Sequence, residues 1–322
     1  MKKRIILMML LVLLTMTLVF TGCGKKAEEP AAPAAQAAPA QPAAAPQPAE
    51  PAKPAIDEEA VLLAAAKDYF AQVATSNNLI SAKDLSMMLE DNPGATMVVD
   101  IRSAEDFAAG HIEGAYHSAM AALGDVMEKI PTNRQVVVTC YSGQTAGQAI
   151  AALRLAGFSN VKSLTSGMNG WKAAELTADE TGDRPLADRS NASSPKTDED
   201  KVRWEAAKAY FKSVAADGTK LIAPQDLYDA LQTNPKAFIV VDIRSKDDFD
   251  AGHIEFSTHS AWAQFGDMIE SLPENGRIVI ACYSGQTAGQ TVGVLRTLGF
   301  DAYSLRGGMN NGWKPAELPL VQ

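Results

Sequence analysis

A cysteine opens the same nine-residue segment at two places in the chain. The segments are Cys140-Tyr141-Ser142-Gly143-Gln144-Thr145-Ala146-Gly147-Gln148 and Cys282-Tyr283-Ser284-Gly285-Gln286-Thr287-Ala288-Gly289-Gln290. Before each lies an apolar run, Val136-Val137-Val138 or Ile278-Val279-Ile280, which reads as a buried strand. After each comes a helical pattern that ends near Gly157 or Gly299, where glycine suits a helix C-terminus. Each cysteine is therefore expected at a strand-to-helix turn. There, backbone N–H groups and the helix dipole converge and favour an anionic sulfur, the form in which cysteine is a nucleophile. The N–H groups from Tyr141 to Ala146, and from Tyr283 to Ala288, are the expected cradle. Hydroxyls of Ser142, Thr145, Ser284 and Thr287 are expected to add donors. Gly143 and Gly285 allow backbone geometry that a Cβ would obstruct. A lone cysteine after a strand is commonly a small core residue. Here the whole segment is kept in two copies of otherwise diverged sequence, which favours chemistry.

The elements that must position these loops are also duplicated. Val99-Asp100-Ile101-Arg102-Ser103 returns as Val241-Asp242-Ile243-Arg244-Ser245, and Ala109-Gly110-His111-Ile112-Glu113 as Ala251-Gly252-His253-Ile254-Glu255, at the same offset as the cysteines. Gly167-Met168-Asn169-Gly170-Trp171-Lys172 returns with one inserted asparagine as Gly308-Met309-Asn310-Asn311-Gly312-Trp313-Lys314. A repeat this long is a duplicated domain. The copies are placed at 57–177 and 199–322, joined by a polar segment, 178–198, that reads as an exposed linker. In each copy helical segments (60–73 or 202–214, then 104–107 and 119–130 in the first) alternate with strands (96–99 or 237–241, the cysteine strand, 161–164 or 302–305). Alternation of this kind implies an α/β fold, with a parallel sheet covered by helices on both faces. Sites in such sheets lie beyond the carboxyl ends of the strands. Asp100 and Cys140 both fall there and are expected to be neighbours. Asp100 with Arg102, and Asp242 with Arg244, read as structural ion pairs supporting the loops. His111, His117, His253 and His259 have no cysteine or carboxylate at ligand spacing, so no metal and no cofactor is expected. Trp171 and Trp313 read as packing residues.

The two ends of the chain bound the setting. The chain has 322 residues, 47% hydrophobic and 21% charged, with a net charge of −9. That acidic balance argues against nucleic acid and against a polybasic membrane patch. Lys2-Lys3-Arg4, an apolar run over 5–20, and Thr21-Gly22-Cys23 read as an export signal, 1–22. Residues 23–56 are rich in Ala and Pro and read as a semi-extended tether. Of three cysteines, Cys23 follows the export signal and two sit in identical loops, so no pair reads as a structural disulfide.

These motifs resemble the rhodanese family of sulfurtransferases. Three matches carry the resemblance: Asp-x-Arg after a strand, Phe-x2-Gly-His-Ile (Phe107 to Ile112; Phe249 to Ile254), and the cysteine loop. It implies two rhodanese-like domains, each an α/β unit around a five-stranded parallel sheet, and transfer of a sulfane sulfur through a persulfide on Cys140 or Cys282. The substrates implied are a small donor such as thiosulfate or 3-mercaptopyruvate and a thiophilic acceptor, a protein thiol included. Four residues separate Cys140 from Thr145; related phosphatases and arsenate reductases carry one more, to admit a tetrahedral oxyanion. Many single-domain rhodaneses place arginines in the loop. Here those positions are Tyr141 and Thr145, closer to mercaptopyruvate sulfurtransferases, and an uncharged loop attracts a dianion less. The alternative is a non-catalytic sulfane-sulfur or redox sensing module. Thr21-Gly22-Cys23 resembles the lipobox of bacterial lipoproteins, which implies lipid on Cys23, a membrane anchor and domains outside the cytoplasm. Two separate sites are expected, because strand ends of different sheets have no evident reason to meet. One divergence stands out: Gly114-Ala115-Tyr116 becomes Phe256-Ser257-Thr258.

Overall fold

The computed structural model describes residues 55–182 and 184–322; the signal segment, Cys23 and most of the tether lie outside them. The first repeat runs α1 (Glu58–Val73), β1 (Leu79–Ile80), α2 (Ala82–Asp91), β2 (Thr96–Asp100), α3 (Ala104–Ala108), β3 (Tyr116–His117), a 3-10 segment (Met120–Lys129), β4 (Gln135–Thr139), α4 (Gln144–Leu155), β5 (Val161–Leu164) and α5 (Gly167–Ala173). The second runs α6 (Asp198–Asp217), β6 (Leu221–Ile222), α7 (Pro224–Thr233), β7 (Ile239–Asp242), α8 (Lys246–Asp250), β8 (Thr258–His259), α9 (Phe265–Met268), β9 (Arg277–Ala281), α10 (Gln286–Thr297) and β10 (Asp301–Leu305), then a π-helical turn (Gly308–Trp313). Local chemistry sets many starts. Ser81, Ser103 and Ser245 accept from the backbone N–H of Asp84, Asp106 and Asp248, Thr197 and Asp200 form a reciprocal capping box, and Pro224 opens α7.

Each repeat builds one five-stranded sheet, in the order β1-β5-β4-β2-β3 and β6-β10-β9-β7-β8, and every pairing is parallel. Side chains alternate between the faces, as strand geometry requires. Val136 and Val138 enter one core and Val137 the other; Ile278 and Ile280 part from Val279 likewise. Both faces are buried, and the α/β expectation holds.

The packing units are not the contiguous repeats. On α1, Ala66, Tyr69, Phe70 and Val73 form one stripe, and it is buried in the core of the second repeat, with Val241, Ile243, Phe265 and Ile280. Phe70 meets the Phe265 ring at 5.1 Å between centroids. Reciprocally, Trp204, Ala207, Tyr210 and Phe211 of α6 lie in the core of the first repeat, with Met120, Leu123 and Ile150. Each repeat's leading helix therefore covers the other repeat's sheet, and residues 54–322 form one unit.

The segment 178–198 is not a free linker either. It lies along the edge strand β3, whose outer backbone groups would otherwise be unpaired. His111 and Asp179 exchange backbone hydrogen bonds, His117 N–H donates to Arg184 O, and Ser193 N–H to Glu128 O. Leu186 is fully buried in the first repeat's core. In the second repeat Val321 pairs with His253 in the same manner as Asp179 with His111.

Two sequence irregularities have clear structural outcomes. The inserted asparagine turns the α-helix Gly167–Ala173 into the π-helical turn Gly308–Trp313, while Trp171 and Trp313 keep the same role, donating to Thr177 O and Pro319 O. At the other site, Gly114 (φ +75°) is replaced by Phe256 at φ +66°, a left-handed conformation disfavoured for a side chain, and Phe256 is 49% exposed. Little burial offsets that strain. Phe256→Gly is expected to raise stability by about 1 kcal/mol in urea denaturation, the relief of left-handed strain exceeding the added entropy of the unfolded chain. A loss of stability would show that Phe256 is held by contacts stronger than the strain.

Candidate active site

Asp100 lies in register with Thr139 on neighbouring strands, and Asp242 with Ala281. Each cysteine is the next residue beyond β4 or β9, so carboxylate and cysteine do stand at adjacent strand ends. Gly143 and Gly285 adopt φ +83° and +89°, which turns the chain from strand into helix within the loop. The result is a sulfur at the loop floor, 2% exposed at Cys140 and 1% at Cys282. Gly143 and Ala146 N–H donate to Cys140 Sγ at 3.1 and 3.3 Å. Gly285 and Ala288 N–H do the same for Cys282 at 3.1 and 3.3 Å. An ionised acceptor gains more from such donors than a neutral one.

The hydroxyls expected to assist do not reach the sulfur. Ser142 is exposed and Ser284, Thr145 and Thr287 are half-buried; none of these hydroxyls donates to a cysteine. A second set of contacts, missed in the sequence, fixes the loop from below. Met168 and Asn169 N–H donate to Cys140 O and Tyr141 O, and Met309 and Asn310 repeat this for Cys282 and Tyr283. With the carbonyls held there, the N–H groups face the sulfur. A Cβ on Gly167 or Gly308 would lie 2.3 or 2.5 Å from the cysteine carbonyl oxygen. The repeated Gly-Met-Asn motif was the visible signal for this role.

The rim is built by Tyr141 and Tyr283, 46% and 40% exposed. Each hydroxyl donates to a carboxylate after the first strand turn, Asp106 or Asp248, at 2.5 Å. Hydrogen bonds from Ser103 and Tyr141, in that order of weight, hold the Asp106 carboxyl below its ordinary range; Ser245 and Tyr283 do so for Asp248. Asp100 and Arg102 act as a brace. Arg102 Nη2 donates to Asp100 Oδ2 at 2.7 Å and to Gly110 O at 2.7 Å, all buried. Arg244 repeats this with Asp242 and Gly252. Such a pair is costly to break from one side. His111 and His253 stack on Phe107 and Phe249 at 3.8 and 3.9 Å, and His117 and His259 bond to Arg102 O and Arg244 O. Among the described residues, no group of three or more His, Cys, Asp or Glu is placed to hold a metal ion.

The Gln144 and Gln286 side chains do not bond to their own sulfur; they reach into the other repeat. Gln144 Nε2 donates to Ser304 Oγ and Leu305 O, and its Oε1 accepts from Gly307 N–H. Gln286 Oε1 accepts from Ser166 N–H in the first repeat. One turn on, Gln148 accepts from Tyr210 and donates to Thr219 O, while Gln290 accepts from Tyr69 and donates to Asn77 O. Much of the duplicated nonapeptide is thus the seam between α4 and α10. The two loops do meet there, through glutamines, and both cysteines are free thiols.

The model of the rhodanese-like domain matches residues 81–174 and 223–315, more than half of the chain. The thiosulfate sulfurtransferase GlpE of Pseudomonas putida (strain GB-1) is 39% identical over 88 residues, 27% of this chain and 79% of that protein. GlpE of Pseudomonas fluorescens (strain SBW25) is 40% identical over 76 residues, 24% of this chain and 70% of its own. Among solved structures, a thiosulfate sulfurtransferase from Pseudomonas aeruginosa aligns with TM-score 0.35 and 19% identity, over 81% of this chain and half of its own length. SseA from Escherichia coli, a 3-mercaptopyruvate sulfotransferase, aligns with TM-score 0.34 and 19% identity, over 71% of this chain and 98% of its own.

Proposed function

The chain belongs to the rhodanese-like domain family, and from that premise we propose that it is a sulfurtransferase with two persulfide-forming cysteines, Cys140 and Cys282. The observation that carries the reading is the pair of backbone N–H groups on each sulfur. The thiolate attacks the outer sulfur of the donor and forms the S–S bond. The bond from that sulfur to the rest of the donor breaks and its electron pair leaves with the remainder: sulfite from thiosulfate, or the enolate of pyruvate from 3-mercaptopyruvate. A thiophilic acceptor then attacks the outer sulfur of the persulfide and restores the thiolate. This is two-step covalent catalysis. The cradle, fixed before reaction, stabilises the anionic sulfur at both ends of the cycle. The GlpE proteins, named for thiosulfate, favour that donor. The uncharged loop favours 3-mercaptopyruvate, which carries one fewer negative charge.

The test is turnover with each donor and with cyanide as acceptor, following thiocyanate. Many turnovers per chain are expected. One sulfur retained per cysteine, without turnover, would instead mark the protein as a sulfur carrier or sensor. We further propose export and lipid anchoring through Cys23, supported by the basic start, the short apolar run and Thr21-Gly22-Cys23. Mass spectrometry of the membrane fraction should find an acylated peptide beginning at Cys23; an intact Met1 peptide would refute it.

A further inference from the structure

The segment that lies along β3 also closes a cavity, and none of the cavity's lining belongs to a cysteine loop. A space of about 630 Å³ is bounded by Thr96, Met97, Ile112, Trp171, Tyr116 and the arginines 134 and 184, among others. A second space of about 420 Å³ shares Tyr116, Arg134 and Arg184 with it and adds Arg189. Both volumes lie in the range of small-molecule sites, roughly 300–1,000 Å³.

Its electrostatics are uncompensated. Among the described residues none of the three arginines forms an ion pair, although Glu90, Glu113 and Asp188 also line the two spaces. Arg134 donates to Gly94 O, and Arg184 to Gly114 O and Tyr116 Oη. Arg189 bonds to the thioether of Met97 and lies against Tyr116, and its Nε is buried without a partner. The Arg184 and Arg189 guanidiniums lie 4.1 and 5.1 Å from the Tyr116 ring centroid. Burial first, then the charge of Arg134 and more weakly that of Arg184, disfavours the Arg189 cation. A guanidinium has five donors, so most of this set is unspent. Thr96 gives a second, independent sign. It is 4% exposed, it lines the larger space, and its hydroxyl has no partner.

The second repeat changes four of these positions, while Ile254 and Trp313 still stand where Ile112 and Trp171 do. At the matching positions Phe238 stands for Thr96, Gly276 for Arg134, Phe256 for Gly114 and Thr258 for Tyr116. Phe238 is buried there against Tyr303 and under Arg277. The sulfur loops stayed identical while this face diverged, so the cavity serves something the loops do not.

We propose that this cavity in the first repeat binds a small amphipathic organic anion. Its carboxylate, sulfonate or phosphate group pairs with Arg134, Arg184 and Arg189, and its apolar body lies toward Ile112 and Trp171. The anion supplies the missing countercharge and an acceptor for the buried donors.

The probe is 1-anilinonaphthalene-8-sulfonate, titrated into the full chain and followed by fluorescence. One saturable site per chain is expected, weakened at least tenfold by Arg134→Gln with Arg184→Gln. N-phenyl-1-naphthylamine, which lacks the sulfonate, should bind both proteins alike. Inorganic phosphate, which lacks the apolar body, should displace the dye only at far higher concentration; displacement at equal concentration would overturn the amphipathic assignment. Should the double variant bind extra dye through lost folding, Arg134→Gly, the second repeat's own residue, must still weaken the site. No saturable site, or undiminished binding in Arg134→Gly, overturns the proposal.

Discussion

Gly289→Ala is expected to destabilise the protein by about 3 kcal/mol, at the upper end of what one added methyl costs in a packed core. An alanine at a helix interior ordinarily stabilises by about 1 kcal/mol over glycine, so the sign itself is diagnostic. The cause is the seam between α4 and α10. A Cβ at position 289 would lie 2.2 Å from Gln144 O, and one at Gly147 would lie 2.7 Å from Gln286 O. Both obstacles are backbone, so no side chain can rotate aside, and one helix must move. Each of these helices begins immediately after a sulfur loop. Loss of stability should therefore come with loss of turnover in both repeats. Urea denaturation and donor turnover of Gly147→Ala and Gly289→Ala read the two effects; a neutral or stabilising substitution would show that the helices do not pack this closely in solution.

The second large effect concerns the thiols. Cys140→Ser and Cys282→Ser are each expected to leave the turnover of the other site, and the double variant none, because removing a covalent nucleophile removes the pathway. Each sulfur has its own donors, Gly143 and Ala146 or Gly285 and Ala288, and serine is close in size, so the seam is undisturbed. The partial activities need not be equal. If both single variants are as inactive as the double, the cysteines work as one unit and the independent-site mechanism fails.

Much of this arrangement was legible in the residues. The strand runs, the glycines that end α4 and α10, and the rule that parallel sheets carry sites at their carboxyl ends placed Asp100 beside the cysteine strand. The seam was not legible. Identical loops invite a reading in terms of one chemistry, yet Gly147 and Gly289 let two copies of one helix pack on each other, and Gln148 and Gln290 bond to Tyr210 and Tyr69 of the leading helices. The exchange of α1 and α6 was equally hidden. A stripe such as Ala66, Tyr69, Phe70 and Val73 says that a sheet will be covered, but two sheets of the same design accept it equally well. At 178–198 the polar composition matches a mostly exposed segment, but it does not disclose the backbone bonds to His111 and His117, of which Leu186 is the one sign. At the loop itself, N–H donors were foreseen in general terms, while the carbonyl clamps from Met168 and Asn169 depend on a turn that is distant in sequence.

The most direct measurement is the intact mass of the protein after incubation with thiosulfate or 3-mercaptopyruvate and removal of free donor. A persulfide mechanism at both loops predicts a gain of one sulfur atom per loop cysteine, halved in Cys140→Ser and in Cys282→Ser, absent in the double variant, and reversed by cyanide. No added sulfur with either donor, or the same gain in the double variant, would contradict it.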